Sequence, residues 1–224
     1  MMKRTASKVR IADPVAHADG LGRGPFRVRR EQDLWGEYAS HYTTLGSFGQ
    51  ADGVRWYNNC GPTAVTNLLV TVRRKQAEDP ALAVDARALY GRVARYAVRH
   101  FVYVNARKGP VKGTSDLRAG GYLRAMFRLC LGIRPGVLLC PATKTQLLRS
   151  LDRGCLLYLM LQRHPVYRNH HLVGYGYTVV ENETTGETRT YLKVSDGHTA
   201  APRYLDLEDF RGKLRFYYEL SIPE

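Results

Sequence analysis

Acidic residues are scarce in this sequence: 20 Asp and Glu stand against 34 Lys and Arg, which gives the 224 residues a formal net charge of +14. Such an imbalance favours acidic partners, whether nucleic acid, an anionic membrane or an acidic protein, but it does not specify a fold. Apolar residues make up 44% of the chain, and there are 15 Tyr and 6 Phe. This composition argues against wholesale disorder and for a sizeable core.

Long apolar runs are also absent. The longest extends from Cys155 to Leu161, far short of the roughly 20 residues that a bilayer requires. The chain begins with basic residues, but no apolar segment of a signal peptide follows them. The sequence therefore predicts no membrane span, and we expect a cytoplasmic location.

Cysteines are few and widely separated, at Cys60, Cys130, Cys140 and Cys155. They form no Cys-x-x-Cys pair and no His-Glu-x-x-His motif occurs, so we predict no metal site and no cofactor. Without an export signal, we expect the thiols to be reduced. The last three cysteines fall on apolar faces or beside a proline, which is typical of structural cysteines.

The hydrophobic periodicity divides the chain into two parts. Residues 1–30 are rich in Arg, Gly, Pro and Ala, which predicts a basic flexible N-terminal arm. Residues 31–224 are predicted to form one domain, which opens with an irregular, aromatic-rich segment over 31–59. A helix rich in apolar residues follows Cys60, with Pro62 in its first turn and basic residues in its last turn.

Further helices are predicted at about 85–101, 115–131 and 143–152, and the third is expected to be capped from Thr114, Ser115 and Asp116. Strands are predicted at 155–161, 171–180, 189–195 and 214–222, and a short helix at 206–213. Because the helices precede the strands, the order predicts an α+β fold. Its N-terminal helical half carries Cys60, and its C-terminal half is an antiparallel sheet.

Cys60 is the strongest candidate for chemistry, since it stands directly at the start of the clearest predicted helix. The helix dipole and nearby backbone N–H groups would favour the thiolate and lower the pKa of the thiol below about 8.5. Gly61 would let a substrate carbonyl come close, and the Cys60 N–H could be one donor of an oxyanion hole. The alternative is a buried structural cysteine.

A nucleophilic cysteine needs a base and a group that orients the base. His170 and His171 open a predicted strand rich in Gly and Tyr, and Asp196 follows another predicted strand, just before Gly197. If these strands are neighbours, Asp196 could hold one nitrogen of an imidazole while the other nitrogen faces Cys60. These residues alone leave open which histidine is the base.

Three stretches of the sequence resemble those of a known protein family. The stretch NNCGPTAVTNLL around Cys60 resembles the nucleophile helix of papain-like cysteine peptidases, most of all the bacterial double-glycine (bacteriocin-leader-processing-like) peptidases with their Cys-Gly-Pro-x-Ala start. The stretch HHLVGYGY from His170 is similar to the family's His-Ala-Val-x-x-x-Gly-Tyr strand. The segment from Tyr191 to Gly197 looks like the strand that carries the family's Asp or Asn. The resemblance covers about residues 50–220.

The resemblance implies a papain-like fold and a Cys-His-Asp triad. Cys60 would be the nucleophile, and Asp196 would orient the base. His170 would be that base because Gly176 follows it by six residues, as in the family strand; His171 is the alternative base, on the opposite face of the strand.

The family's side-chain oxyanion donor is less clear in this chain. The family usually carries a Gln about six residues before the Cys, a position that Val54 occupies here. Gln50, if the intervening loop bulges, and Asn59, beside the nucleophile, are therefore both candidates. Capping of a turn is the alternative role for either side chain.

The expected function is a cysteine peptidase-like hydrolase that cleaves a peptide or amide bond in a peptide or protein substrate through an acyl-enzyme. A papain-fold acyltransferase or deamidase would use the same triad, and a catalytically silent basic binding protein would use none of it. Arginines at 92, 95 and 99 and at 118, 124 and 128 form basic helix faces. No zinc finger, helix-turn-helix or RNA-binding aromatic motif accompanies them, so there is no firm nucleic-acid signal.

Overall fold

The computed structural model describes residues 25–35, 48–76, 85–164, 167–199, 201–208 and 213–223. Within these ranges the helices are α1 (Cys60–Gln76), α2 (Ala86–Arg99), α3 (Ala119–Leu131) and α4 (Lys144–Asp152). The strands are β1 (Phe26–Asp33), β2 (Gln50–Ala51), β3 (Val54–Arg55), β4 (Tyr103–Val104), β5 (Gly113–Thr114), β6 (Gly136–Pro141), β7 (Leu156–His164), β8 (Arg168–Asn182), β9 (Thr188–Ser195), β10 (Arg203–Asp206) and β11 (Leu214–Ser221).

One antiparallel sheet organises the described chain. Its strands follow the order β10-β9-β8-β7-β11-β6, and β1 also pairs with β8. The long strand β8 pairs with β7 through its first half, with β1 through its second half, and with β9 over its central and later residues. The beginning of β8 therefore lies among the ends of several elements.

Helix α1 packs against one face of β8. Val65 and Leu68 of α1 share an apolar cluster with Val173 and Tyr175 of β8. Leu172 and, beyond the irregularity of β8 between Gly174 and Gly176, Tyr177 belong instead to a second cluster, together with Leu147 and Leu151 of α4. Because successive residues of a strand point to opposite faces, the start of β8 sends consecutive side chains into two different environments.

The clearest sequence-based prediction, the helix after Cys60, is confirmed. Every residue of α1 from Gly61 to Val72 is buried, and Arg73, Arg74 and Lys75 occupy its last turn. The predicted helices at 85–101 and 143–152 correspond to α2 and α4. Their caps follow the expected chemistry, since the carboxylate of Asp85 and the hydroxyl of Thr143 accept backbone N–H bonds.

Most of the predicted N-terminal arm, residues 1–24, lies outside the described ranges. For residues 26–30 the prediction of a flexible arm is wrong, since they form the first part of β1. Arg27 and Arg29 bind Glu181 of β8, with nitrogen–oxygen distances of 3.2 and 2.8 Å. Basic residues that suggested a tail are thus the anchors of an edge strand, which crosses the predicted domain boundary at residue 30.

The fold is a mixture of helices and antiparallel sheet, but its strands do not all follow its helices. β1 precedes α1, and β6 lies between α3 and α4. The short helix predicted at 206–213 is wrong at Asp206, which ends β10, and residues 209–212 lie outside the described ranges. None of the described helices has the length and apolar character needed to cross a membrane.

The predicted cap of the third helix is also wrong. α3 begins at Ala119, and its N-cap residue Arg118 makes no side-chain capping bond. Thr114 belongs to β5, and the carboxylate of Asp116 contacts groups outside the helix. Asp116, whose residue type suits a helix cap, instead contacts Gln162 and His171.

Candidate active site

Cys60 opens onto a cleft of about 950 Å³ at the start of α1. The cleft is bounded by the segment before α1, by residues 110–117 between β4 and α3, by the turn that joins β7 to β8, and by His198 after β9. The α1 helix supplies one wall because its burial against β8 fixes its first turn at the beginning of that strand.

The Cys60 side chain is partly exposed, and burial raises the pKa of its thiol. Backbone hydrogen bonds from His171, Gly61 and Cys60 itself favour the thiolate, but they do not outweigh the loss of hydration, and the negative charge of Asp116 adds to the rise. The expectation of a lowered pKa is therefore wrong. The helix start does stabilise the anion, as predicted, but it lies beneath other chain segments.

His171 lies beside this sulfur, since its own backbone is one of the groups that bond to the Cys60 thiol. The imidazole is buried, and its Nε2 lies 3.4 Å from Oδ1 of Asp116. Its Nδ1 is also buried and has no hydrogen-bond partner among the described residues. Burial lowers the pKa of His171 to about 4, with the Asp116 carboxylate and a backbone hydrogen bond to Thr114 opposing the shift. The neutral ring is thus held from the segment that contains Thr114 and Asp116.

Asp116 reaches His171 from the loop between β5 and α3. Gln162 donates to its Oδ2 at 2.8 Å, and the hydroxyl of Tyr218 donates to its backbone carbonyl at 3.1 Å. These bonds fix the loop from β7 and β11, two neighbouring strands of the sheet. The sequence gives no sign of this role, because Asp116 is far from His171 along the chain and looks like a helix cap.

Gly61 allows β5 to approach the start of α1. A Cβ at this position would lie 2.1 Å from Oγ1 of Thr114, closer than any side chain can tolerate. Thr114 precedes Asp116 by two residues, so the missing side chain at Gly61 helps to bring the carboxylate to the cleft. Close packing of the chain on itself is thus an observed reason for this glycine, beside the predicted approach of a substrate carbonyl.

His170 and Asp196 meet each other, but through a backbone group. His170 is buried, and its Nε2 lies 2.5 Å from the carbonyl oxygen of Asp196. The carboxylate of Asp196 accepts bonds from the backbone N–H groups of His198 and Thr199 at 2.9 and 3.1 Å, and from the hydroxyl of Tyr167 at 2.8 Å. These bonds to the Asp196 carboxylate thus come from a turn and from a tyrosine, whereas the carboxylate of Asp116 faces an imidazole.

The rings on this side of the cleft form a stack that the sequence does not reveal. Tyr167 and His170 are nearly parallel with centroids 5.3 Å apart, and His170 and His198 are 4.6 Å apart. His164 lies against Tyr167, and burial lowers its pKa to about 4. The Tyr167, His170 and His198 stack supports the beginning of β8, where His171 is located.

The two candidate oxyanion donors lie in different places. Asn59 is buried at the edge of the cleft, and its Nδ2 donates to the hydroxyl of Tyr90 at 2.8 Å. Gln50 pairs with Arg55 in the β2–β3 ladder and is exposed, outside the residues that line the cleft. The backbone N–H groups of Cys60 and Gly61 already bond to the sulfur, so they are closer to the reacting position than either side chain.

The remaining cysteines lie in packed positions. Cys140 and Cys155 are buried, Cys130 is partly buried on α3, and burial raises the pKa of all three thiols. Among the described residues, no cluster of three or more His, Cys, Asp or Glu side chains could hold a metal ion.

Comparisons with known proteins give a distant likeness only. No family model matches the chain, and no curated protein matches it. Thirteen chains of solved structures match. One is UfSP from C. elegans, which is 10% identical, with a TM-score of 0.42, over 100% of this chain and 39% of that chain. The chain thus spans well under half the length of that structure, and a TM-score this low carries no argument about the site.

Proposed function

We propose that this protein is a papain-like cysteine hydrolase that cleaves a peptide or amide bond, with Cys60 as nucleophile, His171 as base and Asp116 as the group that orients the base. One observation carries the proposal: His171, whose backbone bonds to the Cys60 thiol, has a buried imidazole with one nitrogen 3.4 Å from a carboxylate and the other without a hydrogen-bond partner among the described residues. The resemblance of NNCGPTA to a nucleophile helix supports it independently.

The first half of the reaction follows from the two pKa directions. Because burial keeps the thiol protonated and the imidazole neutral, the resting pair is uncharged rather than an ion pair. Nδ1 of His171 takes the proton of Cys60 while the sulfur attacks the carbonyl carbon. Asp116 stabilises the imidazolium that results, as a carboxylate does for a base in related hydrolases.

The second half releases the two products. Backbone N–H groups at Cys60 and Gly61 hold the developing oxyanion, and losing one such donor costs on the order of 3 kcal/mol in related chemistry. The imidazolium then gives its proton to the leaving amine, which departs and leaves a thioester on Cys60. Water, activated by the neutral His171, attacks the thioester and frees the acid and the thiol.

His170 and Asp196 have a positioning role in this proposal. The stack of His170 on Tyr167 and the turn after β9 support the start of β8, where the backbone of the next residue, His171, bonds to the Cys60 thiol. The assignment that the resemblance implies, with His170 as base and Asp196 as its orienting group, remains the competing proposal.

The proposal is tested with p-nitrophenyl acetate, a small activated ester that needs little substrate recognition. We expect a burst of p-nitrophenol and an acetyl group that mass spectrometry maps to Cys60. The Cys60→Ser variant should lose the burst while its circular dichroism stays unchanged. Acetylation of Cys130, Cys140 or Cys155 in place of Cys60 would contradict the nucleophile assignment. Adding glycinamide distinguishes hydrolysis from acyl transfer, because a transferase would make acetylglycinamide.

A further inference from the structure

Three basic residues line the cleft and have no acidic partner in the described part of the chain. Lys112, Arg163 and Arg168 line it, all three are exposed, and none forms an ion pair within the described residues. Asp116 is the carboxylate among the described lining residues, and Gln162 and His171 already contact it. The entrance to the site therefore carries positive charge that the described part of the protein does not neutralise.

The two arginines hold unusual backbone conformations. Arg163 and Arg168 have φ angles of 50° and 58°. These values lie in the left-handed region, which residues other than Gly and Asn rarely adopt. Such a conformation costs on the order of 1 kcal/mol per residue and persists only where the surroundings impose it. Here Asn169 accepts a bond from the Arg163 backbone at 3.0 Å, and His164 pairs with Arg168 across the strands. Both arginines thus line the cleft from backbone positions that their neighbours hold in place.

We infer that the site selects an acidic polypeptide segment, whose Asp or Glu side chains lie against Lys112, Arg163 and Arg168 when the scissile carbonyl reaches Cys60. The inference rests on the proposed function, because it places the substrate in the same cleft. A polypeptide is favoured over a nucleic acid because the group at the centre of the cleft is one that attacks carbonyl carbons, which a nucleic-acid backbone does not have.

Binding to the Cys60→Ala protein tests the inference without any thiol chemistry. The probes are fluorescein-labelled Glu-Ala-Glu-Gly-Ala-Glu-Ala and the same peptide with Gln for Glu, followed by fluorescence anisotropy at low salt. We expect the acidic peptide to bind about tenfold more tightly, and added salt to reduce the difference. The double variant Arg163→Gln/Arg168→Gln should remove most of that preference.

The matched control is Arg149→Gln/Arg215→Gln, which removes the same net charge. Arg149 lies on α4 and Arg215 on β11; both are exposed and neither lines the cleft. If Gln disturbs the turn, Arg163→Asn/Arg168→Asn keeps a residue type that tolerates positive φ.

A second measurement uses the native thiol. Iodoacetate and iodoacetamide differ in charge, so the ratio of their rates at Cys60 reports the local potential. We expect the rate with iodoacetate, divided by the rate with iodoacetamide, to fall about fivefold in the Arg163/Arg168 variants. The same ratio should stay constant in the Arg149/Arg215 control.

The outcomes separate the inference from the proposed function. An unreactive Cys60 would refute the proposed function, yet the peptide pair would still decide the inference. Equal binding of the two peptides, or the same loss of preference in the control, would overturn it. Binding of a single-stranded oligonucleotide that excludes the acidic peptide would also overturn it, in favour of a nucleic-acid partner.

Discussion

His170 and His171 are neighbours in the chain, and each lies close to an aspartate, yet the two pairs differ in what the aspartate does. Asp116 turns its carboxylate toward the ring of His171, on the side where Cys60 lies. Asp196 meets His170 through its backbone carbonyl, while its carboxylate holds a turn and a tyrosine. A histidine near an aspartate is therefore not enough to define a catalytic pair; the direction of the carboxylate and the strand face of the ring decide.

The same comparison separates chemistry from support. The His171 side combines a thiol, a carboxylate and an imidazole, one nitrogen of which has no hydrogen-bond partner in the described part of the chain. The His170 side consists of stacked rings and a capped turn, which stabilise the position of β8. Variants on the two sides should therefore lose different properties: reactivity on the His171 side and stability on the His170 side.

Replacing each of the two histidines with Ala, one at a time, gives the sharpest contrast. We expect His171→Ala to slow acetylation of Cys60 by p-nitrophenyl acetate about 1000-fold, because the thiol loses its proton acceptor. His170→Ala should slow it less than about tenfold, through a looser start of β8. Burst kinetics on both variants, with their unfolding midpoints as a control for folding, measure the difference. Equal or reversed losses would favour His170 as the base.

Gly61→Ala tests whether the close approach of β5 builds the His171 side. The added Cβ would collide with Thr114, and overpacking of this kind costs about 2 to 3 kcal/mol. Gly121→Ala is the matched control, since its Cβ would meet nothing within 4 Å and helix propensity favours Ala by about 1 kcal/mol. Urea unfolding measures both. A loss of stability at Gly121 as large as that at Gly61 would contradict the packing argument.

The pH dependence of stability follows from the lowered pKa of His171. Its value falls from 6.5 to about 4 on folding, so the unfolded chain binds more protons between those two values. The free energy of unfolding should therefore decrease as the pH is lowered through this window, by on the order of 3 kcal/mol at most from this residue. His164, with a similar shift, adds to the same slope.

Urea unfolding of the native protein and of His171→Gln at several pH values measures this contribution. The variant should show a shallower dependence between pH 6.5 and about 4, because its side chain does not titrate. The His170→Gln protein provides the comparison on the other strand face. If the stability of His171→Gln depended on pH as steeply as that of the native protein, the native His171 imidazole would have to titrate as it does in the unfolded chain.

The two aspartates give the smallest and most specific contrast. Asp116→Asn should slow acetylation about tenfold, since the imidazolium loses its counter-charge. Asp196→Asn should leave acetylation within about threefold and cost on the order of 1 kcal/mol of stability through its turn bonds. Kinetics and thermal unfolding of both variants separate these effects. A larger kinetic loss at Asp196 would restore the triad implied by the family resemblance.

Local patterns determined most of the helices and the sheet strands. The apolar spacing of α1, the apolar run of β7 and the residue types of β8 and β9 are properties of short segments, which is why the sequence predicts these elements. β1 was missed because its charged residues resemble those of a tail; they are anchored by Glu181, which lies in β8. A contact so distant along the chain leaves no periodic signal in the segment itself.

Some residues of the candidate site could likewise be predicted from the sequence, and others could not. Cys60 at a helix start and the pair of histidines at a strand start could be found from residue types and order alone. The rise in the pKa of Cys60 could not, because desolvation depends on the segments that cover the helix start. Asp116 could not be found either, since its place beside His171 depends on the close packing at Gly61 and on the bond from Gln162.

The sequence by itself determined the basic charge, the helix that begins at Cys60, and the presence of His170 and His171 at the start of a strand. Only the tertiary structure decided which histidine lies on the α1 side of β8 and which carboxylate faces its imidazole. The physical reason is that adjacent strand residues point to opposite faces, so the packing of α1 against one face of β8 selects His171. A loop from elsewhere in the chain then supplies Asp116.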